Sequence, residues 1–302
     1  MTYASDNVVI VGLGLIGGSL ARALRSSGFS QRFIGYGHRE ASLQRGVELG
    51  VIDEFTLDLD EAIERADIIV ICTPTLTTVQ MLEKILPRLL GRSGGPVITD
   101  VASVKGNLRT AAIAVAGAMP PQLVLGHPIA GSQYSGVNAS KADLFVDHRV
   151  ILTPDAANDP AAVELVRAMW NSAGAEVVDM TVEQHDAVLA STSHLPHVLA
   201  YTLVDALASA DNSEDIFRCA AGGFRDFTRI ASSDPIMWRD IAIANKSALL
   251  NSIDLFSDHL ARLREAVQDE NAHELFNTFD RAKQARDEFA TLLAQRIQPK
   301  LP

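Results

Sequence analysis

The chain has 302 residues, 47% of them hydrophobic and 21% charged, with 20 Gly and 12 Pro. That is a folded composition with length for about two domains, and it excludes disordered and low-complexity classes. Lys and Arg number 26 against 37 Asp and Glu, so the formal charge is −11 and no nucleic-acid partner is expected. An acidic protein that binds an anion must therefore gather its cations locally. Cys72 and Cys219 are too few for a disulfide framework or a Cys-rich metal site and fit a reducing, cytoplasmic setting. No run approaches the roughly 18 apolar residues of a membrane span, so no membrane partner is expected. Val8–Gly18 is Gly-broken and preceded by Asp6, and does not read as a signal peptide.

Short β-branched runs predict strands at Val8–Val11, Arg32–Tyr36, Asp67–Cys72, Val97–Asp100, Leu123–Leu125, Arg149–Leu152 and Glu176–Val178. Helical patterns lie between them, among them Ser19–Arg25, Leu76–Leu90 and Ala161–Ala173. Alternation of this kind predicts an α/β, doubly wound Rossmann-type domain, its mostly parallel sheet covered on both faces. After Asp179 the strand signals stop. Thr181–Ala210, Ile236–Gln268 and Ala272–Ile297 predict long helices, with apolar residues three and four apart. The expected division is an α/β domain over 1–179 and an all-helical domain over 180–302.

Gly12-Leu13-Gly14-Leu15-Ile16-Gly17 follows the first strand and opens a helix, as a dinucleotide fingerprint requires. The first Gly permits the tight turn, the second lets backbone approach pyrophosphate, and the third lets helix pack on strand. The helix start then offers free N–H groups and a positive dipole end to phosphate. Thr73 and Pro74, after the Asp67–Cys72 strand, join the expected cofactor-binding set. At the end of the second strand an NAD site places a carboxylate on the ribose, but here the residues are Gly37-His38-Arg39. His38 and Arg39 lean the expectation to NADP over NAD. The other reading has Glu40 or backbone groups serve the ribose while Arg39 is solvated.

His127 follows the Leu123–Leu125 strand in Gly126-His127-Pro128-Ile129-Ala130-Gly131-Ser132, at the sheet edge where such folds bind ligands. Ser103, in Asp100-Val101-Ala102-Ser103-Val104-Lys105-Gly106, follows its strand in the same way; its plain reading is a helix N-cap. Ser193 and His197 share a helix face, but His194 is close enough that spacing does not choose between the histidines. Pro196 removes a hydrogen bond there and predicts a kink. Gly222–Arg229 supplies two cations in an expected loop, Arg225 and Arg229, and one of them could clamp a carboxylate. No His, Cys, Asp and Glu set has metal-ligand spacing, and no metal is expected.

GLGLIGGS, DVASVKG, GHPIAGS, STSHLPH and GGFRDFTRIASSDPIMWRDI, in this order, resemble the prephenate/arogenate (cyclohexadienyl) dehydrogenase family of tyrosine biosynthesis. The resemblance covers nearly the whole chain. It implies oxidative decarboxylation of prephenate or arogenate, in which the ring loses hydride from C4 to NAD(P), loses CO₂ and becomes aromatic. It also implies a homodimer through the helical domain. On the same resemblance His127 is the base that takes the hydroxyl proton and Ser103 orients it beside the nicotinamide. Ser193 and His197 contact substrate, Arg229 binds the ring carboxylate, and Trp238 shapes the pocket. Gln133 stands where some members carry an acid, which tilts the expectation toward prephenate. Two rivals are a hydroxy-acid dehydrogenase with a helical second domain and a non-catalytic dinucleotide sensor. The first uses a helix lysine as its acid/base, and no lysine is expected in such a setting near His127.

Overall fold

A computed structural model describes residues 4–92, 94–131 and 134–297. The first part of the chain runs β1 (Ser5–Val11), α1 (Leu15–Ser27), β2 (Ser30–Tyr36), α2 (Glu40–Glu48), β3 (Glu54–Thr56), α3 (Leu59–Arg65) and β4 (Ile68–Ile71). It continues with α4 (Thr75–Leu89), β5 (Val97–Asp100), α5 (Gly106–Ala116) and β6 (Leu123–Val124). These strands pair in parallel in the order β3-β2-β1-β4-β5-β6. The order reverses direction between β1 and β4, which opens a crevice at their carboxyl ends. Val8 and Ile10 pack on one side with Leu20, Leu24 and Phe33; Val9 and Val11 pack on the other with Ile63, Leu82 and Ile85. Burial on both faces is why β1 reads as an unbroken apolar run.

The strand pattern predicts one sheet, and the structure makes a second. β7 (Gly126–Pro128), β8 (Arg149–Leu152) and, after α6 (Pro160–Ser172), β9 (Glu176–Asp179) form it; β7 is antiparallel to β8 and β8 parallel to β9. The cause is local: Gly126 N–H donates to the Asp100 carboxylate (3.2 Å), so the chain leaves the β5 edge there. His127 consequently sits on a short strand rather than in a loop.

The helical part contains α7 (Val182–Leu189), a π turn (Ala190–His194), α8 (Leu195–Ala208), α9 (Ser213–Arg218) and α10 (Gly222–Thr228). A 3₁₀ turn (Arg229–Ser232), α11 (Pro235–Ala244), α12 (Lys246–Gln268) and α13 (Ala272–Ile297) follow. The expected kink at Pro196 takes the form of the π turn, because Pro196 has no N–H to donate to the carbonyl one turn back, its ring crowds that carbonyl, and the preceding turn widens. The helix expected over Ile236–Gln268 breaks at Asn245, whose side chain is bonded elsewhere. The segment expected as a loop, Gly222–Arg229, is helical through Thr228.

The chain forms two compact units, one ending at Leu249 and the other beginning at Leu250. In the second, Leu255, Leu260, Val267, Phe276, Phe279, Phe289 and Leu292 are exposed. No helix among the described residues is long and apolar enough to cross a membrane.

Candidate active site

The glycine turn lies between β1 and α1. Gly12 has φ +91, and a Cβ there would sit 2.9 Å from Cys72 O and from Thr73 Cγ2. A Cβ on Gly17 would come within 2.6 Å of Gly12 O. At Gly14 a Cβ would meet nothing within 4 Å, and α1 starts there with no side-chain cap. An open space above uncapped N–H groups is the cradle a pyrophosphate fits. Thr73 and Pro74 form the adjoining turn, held by the Thr78 hydroxyl, which donates to Thr73 O (3.0 Å). Leu13, Leu15 and Ile16 complete the β1–α1 turn, and Leu13 is buried. His38 and Arg39 are exposed, and a Cβ on Gly37 would find only Leu43 Cδ2, at 3.9 Å.

The second half of the site is built on buried charge. Asp100, at the end of β5, accepts from Ala102 N–H (2.8 Å) and from the Lys105 ammonium. Lys105 also donates to Gly126 O (2.6 Å), and both side chains are fully buried. Burial pulls the Lys105 pKa down against the opposing pull of Asp100. A lysine therefore does stand beside His127, contrary to expectation. Its ammonium is committed to fastening the Ser103 segment to the His127 strand.

His127 is nearly buried, and its Nδ1 lies 2.9 Å from His185 Nε2. His185 Nδ1 lies 2.7 Å from Asp186 Oδ1. Asp186 also accepts the Lys105 N–H (2.9 Å) and the Gly106 N–H (2.8 Å) at the start of α5. Only glycine permits that approach, because a Cβ at position 106 would sit 2.7 Å from Asp186 Oδ2. Burial alone would raise the Asp186 pKa, but the bonds from His185, Lys105 and Gly106 outweigh it and hold the carboxyl below its usual range. Burial, then the neighbouring His185, Lys105 and His194, pushes His127 well below 6.5. Ser103 makes no hydrogen bond to a described residue and is not the cap of α5, whose N-cap position is Lys105.

The two helix histidines differ in their hydrogen-bond partners, although both rings meet Trp238, His194 edge-on with centroids 6.1 Å apart. His194 is 1% exposed, its Nδ1 is 3.1 Å from Asn245 Nδ2, and burial lowers its pKa to about 4. Asn245 also donates to Asp186 O (2.9 Å), so His194 belongs to the packing that holds α7. His197 instead stacks on Trp238, centroids 3.5 Å apart at 18°, and its Nδ1 is 2.9 Å from Ser193 O. Burial lowers the His197 pKa, and the field of Arg229 lowers it further, which places that guanidinium nearby. Arg229 has no hydrogen bond or ion pair with a described residue, whereas Arg225 pairs with Asp226 (3.2 Å). Gln133 lies outside the described residues. Sequence reasoning missed His185, Asp186 and Asn245; a His-Asp pair on a helix carries no signal until its partner across the fold is known.

The family model for the prephenate dehydrogenase nucleotide-binding domain matches residues 20–179, and that for the prephenate dehydrogenase dimerization domain matches 181–281. This chain belongs to the prephenate dehydrogenase family. It is 38% identical to a prephenate dehydrogenase of Bacillus subtilis over 95% of this chain and 77% of that one. It is 35% identical to a cyclohexadienyl dehydrogenase of Zymomonas mobilis, covering 93% and 94%. A crystal structure of a prephenate dehydrogenase from A. aeolicus, in complex with hydroxyphenyl propionate and NAD+, superposes with TM-score 0.86 at 39% identity. The match covers 94% of this chain and 98% of that one. The α/β domain followed by a helical one is the arrangement of this family.

Proposed function

We propose that this enzyme oxidatively decarboxylates prephenate, with arogenate as a second substrate, in tyrosine biosynthesis. The observation that carries the reading is His127: a neutral, nearly buried imidazole on β7, just past the carboxyl end of β6 in the parallel sheet whose β1–α1 turn offers the pyrophosphate cradle. A neutral imidazole can take the C4 hydroxyl proton near pH 7. A bound nicotinamide dinucleotide supplies the hydride acceptor. Gly12–Gly17, Thr73 and Pro74 would hold it, with Ser103 beside the nicotinamide and His127. Arg229, unpaired among the described residues, suits the ring carboxylate, while Ser193, His197 and Trp238 line the rest of the substrate. The lysine beside His127, Lys105, is tied to Asp100 and so is not free to serve as the rival dehydrogenase's acid/base.

We take the α/β domain to be 1–179 and the helical domain 180–302, a reading that the end of β9 at Asp179 supports, and the active unit to be a homodimer through the helical part. A reducing, cytoplasmic setting accords with two unpaired cysteines.

For the cofactor we favour NADP, because Gly37 removes both the ribose acceptor and the repulsion of a 2′-phosphate, and Arg39 offers a guanidinium. Turnover of prephenate and of arogenate with each cofactor, read by reduced nicotinamide absorbance, tests the whole assignment. Gly37→Asp, which the open space accommodates, should move the NADP/NAD ratio of kcat/KM toward NAD, and Arg39→Ala should weaken NADP selectively. Strong preference for NAD that Arg39→Ala leaves untouched would reverse the cofactor assignment, and no turnover of either substrate would remove the enzyme reading.

A further inference from the structure

Behind His127 lies a buried hydrogen-bonded line: His127 Nδ1, His185 Nε2, His185 Nδ1, Asp186 Oδ1. Its far end has a fixed polarity. The Asp186 carboxylate accepts two backbone N–H groups, from Lys105 and Gly106, at the start of α5, an arrangement that favours the anion. An anion can only accept, so His185 Nδ1 must carry a proton. A neutral His185 then has a bare Nε2, and His127 must donate to it from Nδ1. That leaves the lone pair of neutral His127 on Nε2.

We propose that His185 and Asp186 are positioning residues that lock His127 in the Nδ1–H tautomer, with Nε2 as the base, and that stabilise its protonated form. The proposal rests on the reading of His127 as the proton acceptor. In the step it serves, the substrate O–H bond breaks and an N–H bond forms at His127 Nε2. The freed oxygen pair becomes the new carbonyl as hydride leaves C4 for the nicotinamide named above as acceptor, and loss of CO₂ then makes the ring aromatic. The resulting imidazolium keeps its Nδ1–H bonded to His185, which is itself bonded to the Asp186 carboxylate, and the proton later leaves to solvent. The other charged or titratable groups around His127 are Lys105, Asp100 and His194. Lys105 is neutralised by its ion pair with Asp100, and His194 is bonded to Asn245. Among the described residues, only the Asp186 line connects to the His127 ring by hydrogen bonds.

Histidine ¹⁵N spectra of the whole, unliganded protein report which ring nitrogen carries the proton, independently of turnover. The expected spectrum assigns His127 as Nδ1–H, and Asp186→Asn should convert part or all of it to Nε2–H. Asp186→Asn should also lower kcat by about 10²–10⁴-fold, the range for a positioned base and its orienter, while KM for prephenate stays within about threefold. Because that variant could disturb the α5 start, His185 provides a second pair. His185→Gln keeps an acceptor for His127 Nδ1–H and should retain more kcat than His185→Leu, with the acid limb of kcat/KM moved to lower pH. A wild-type spectrum with His127 as Nε2–H would overturn the proposal. So would equal kcat and an unmoved acid limb in Gln and Leu variants. Absence of wild-type turnover alongside the Nδ1–H tautomer would instead sink the reaction assignment and leave the tautomer lock standing.

Discussion

His127 is where one side chain's environment decides the chemistry. Burial above all, with His185, Lys105 and His194 close by, holds the imidazole pKa well below 6.5. A base works in its neutral form, which exists above its pKa. The acid limb of kcat/KM should therefore lie below pH 6.5, with activity flat from pH 7 down through 6.5 and lost only as His127 protonates. His127→Asn should lower kcat by about 10²–10⁴-fold with KM little changed, and a variant keeping more than about a tenth of wild-type kcat would remove His127 from the mechanism. Arg229 presents the complementary case of a cation left without a partner among the described residues. Hydrogen bonds to charged groups are worth about 1.5–3 kcal/mol, so Arg229→Ala should cost roughly 10- to 150-fold in kcat/KM. Lys should rescue poorly, lacking the planar fork. Damage from Arg225→Ala with Arg229→Ala silent would transfer the role to the neighbouring arginine.

Elements reach the site through a few fasteners rather than through loops. The end of β5, the start of α5 and the strand β7 are joined by the Asp100–Lys105 pair, and α7 is joined to α5 by Asp186. Removing one member of a buried pair leaves an uncompensated charge, which costs about 3–5 kcal/mol. Lys105→Met, similar in length but without the ammonium, should therefore lower unfolding free energy by that amount in urea titration. A loss under about 1 kcal/mol would mean that the pair contributes little to holding β7. The π turn before Pro196 acts at the same scale. Beside it His194 bonds Asn245 and meets the Trp238 ring edge-on, while His197 stacks on that ring.

Over the whole molecule, the unpartnered feature is apolar. Phe276, Phe279, Phe289 and Leu292 on α13 are exposed, as are Leu255, Leu260 and Val267 on α12. Contiguous apolar faces of this kind mark association surfaces, and the dimerization-domain model overlaps them as far as residue 281. Light scattering should find a dimer at micromolar concentration. Phe276→Asp combined with Phe279→Asp should shift it toward monomer; a fully active wild-type monomer would contradict the assembly.

Much of this was legible without a structure because it depends on local rules. The βα alternation, the glycine turn and the helix at Ala272–Ile297 follow from periodicity and from the steric needs of glycine, and both are written in neighbouring residues. The motif order carried the family and the candidate roles of His127, Ser103, His197 and Arg229. The Asn245 partner of His194, the break at Asn245, the second sheet and the Asp186–His185–His127 line were not legible. Each depends on a hydrogen bond between residues far apart in the chain: 51 positions for His194 and Asn245, 58 for His127 and His185, 80 for Gly106 and Asp186. Sequence determined which groups were present and which segments were helix or strand. Only the folded chain decided which buried donor met which acceptor, because burial makes an unpaired polar group costly and so selects partners by space rather than by sequence order.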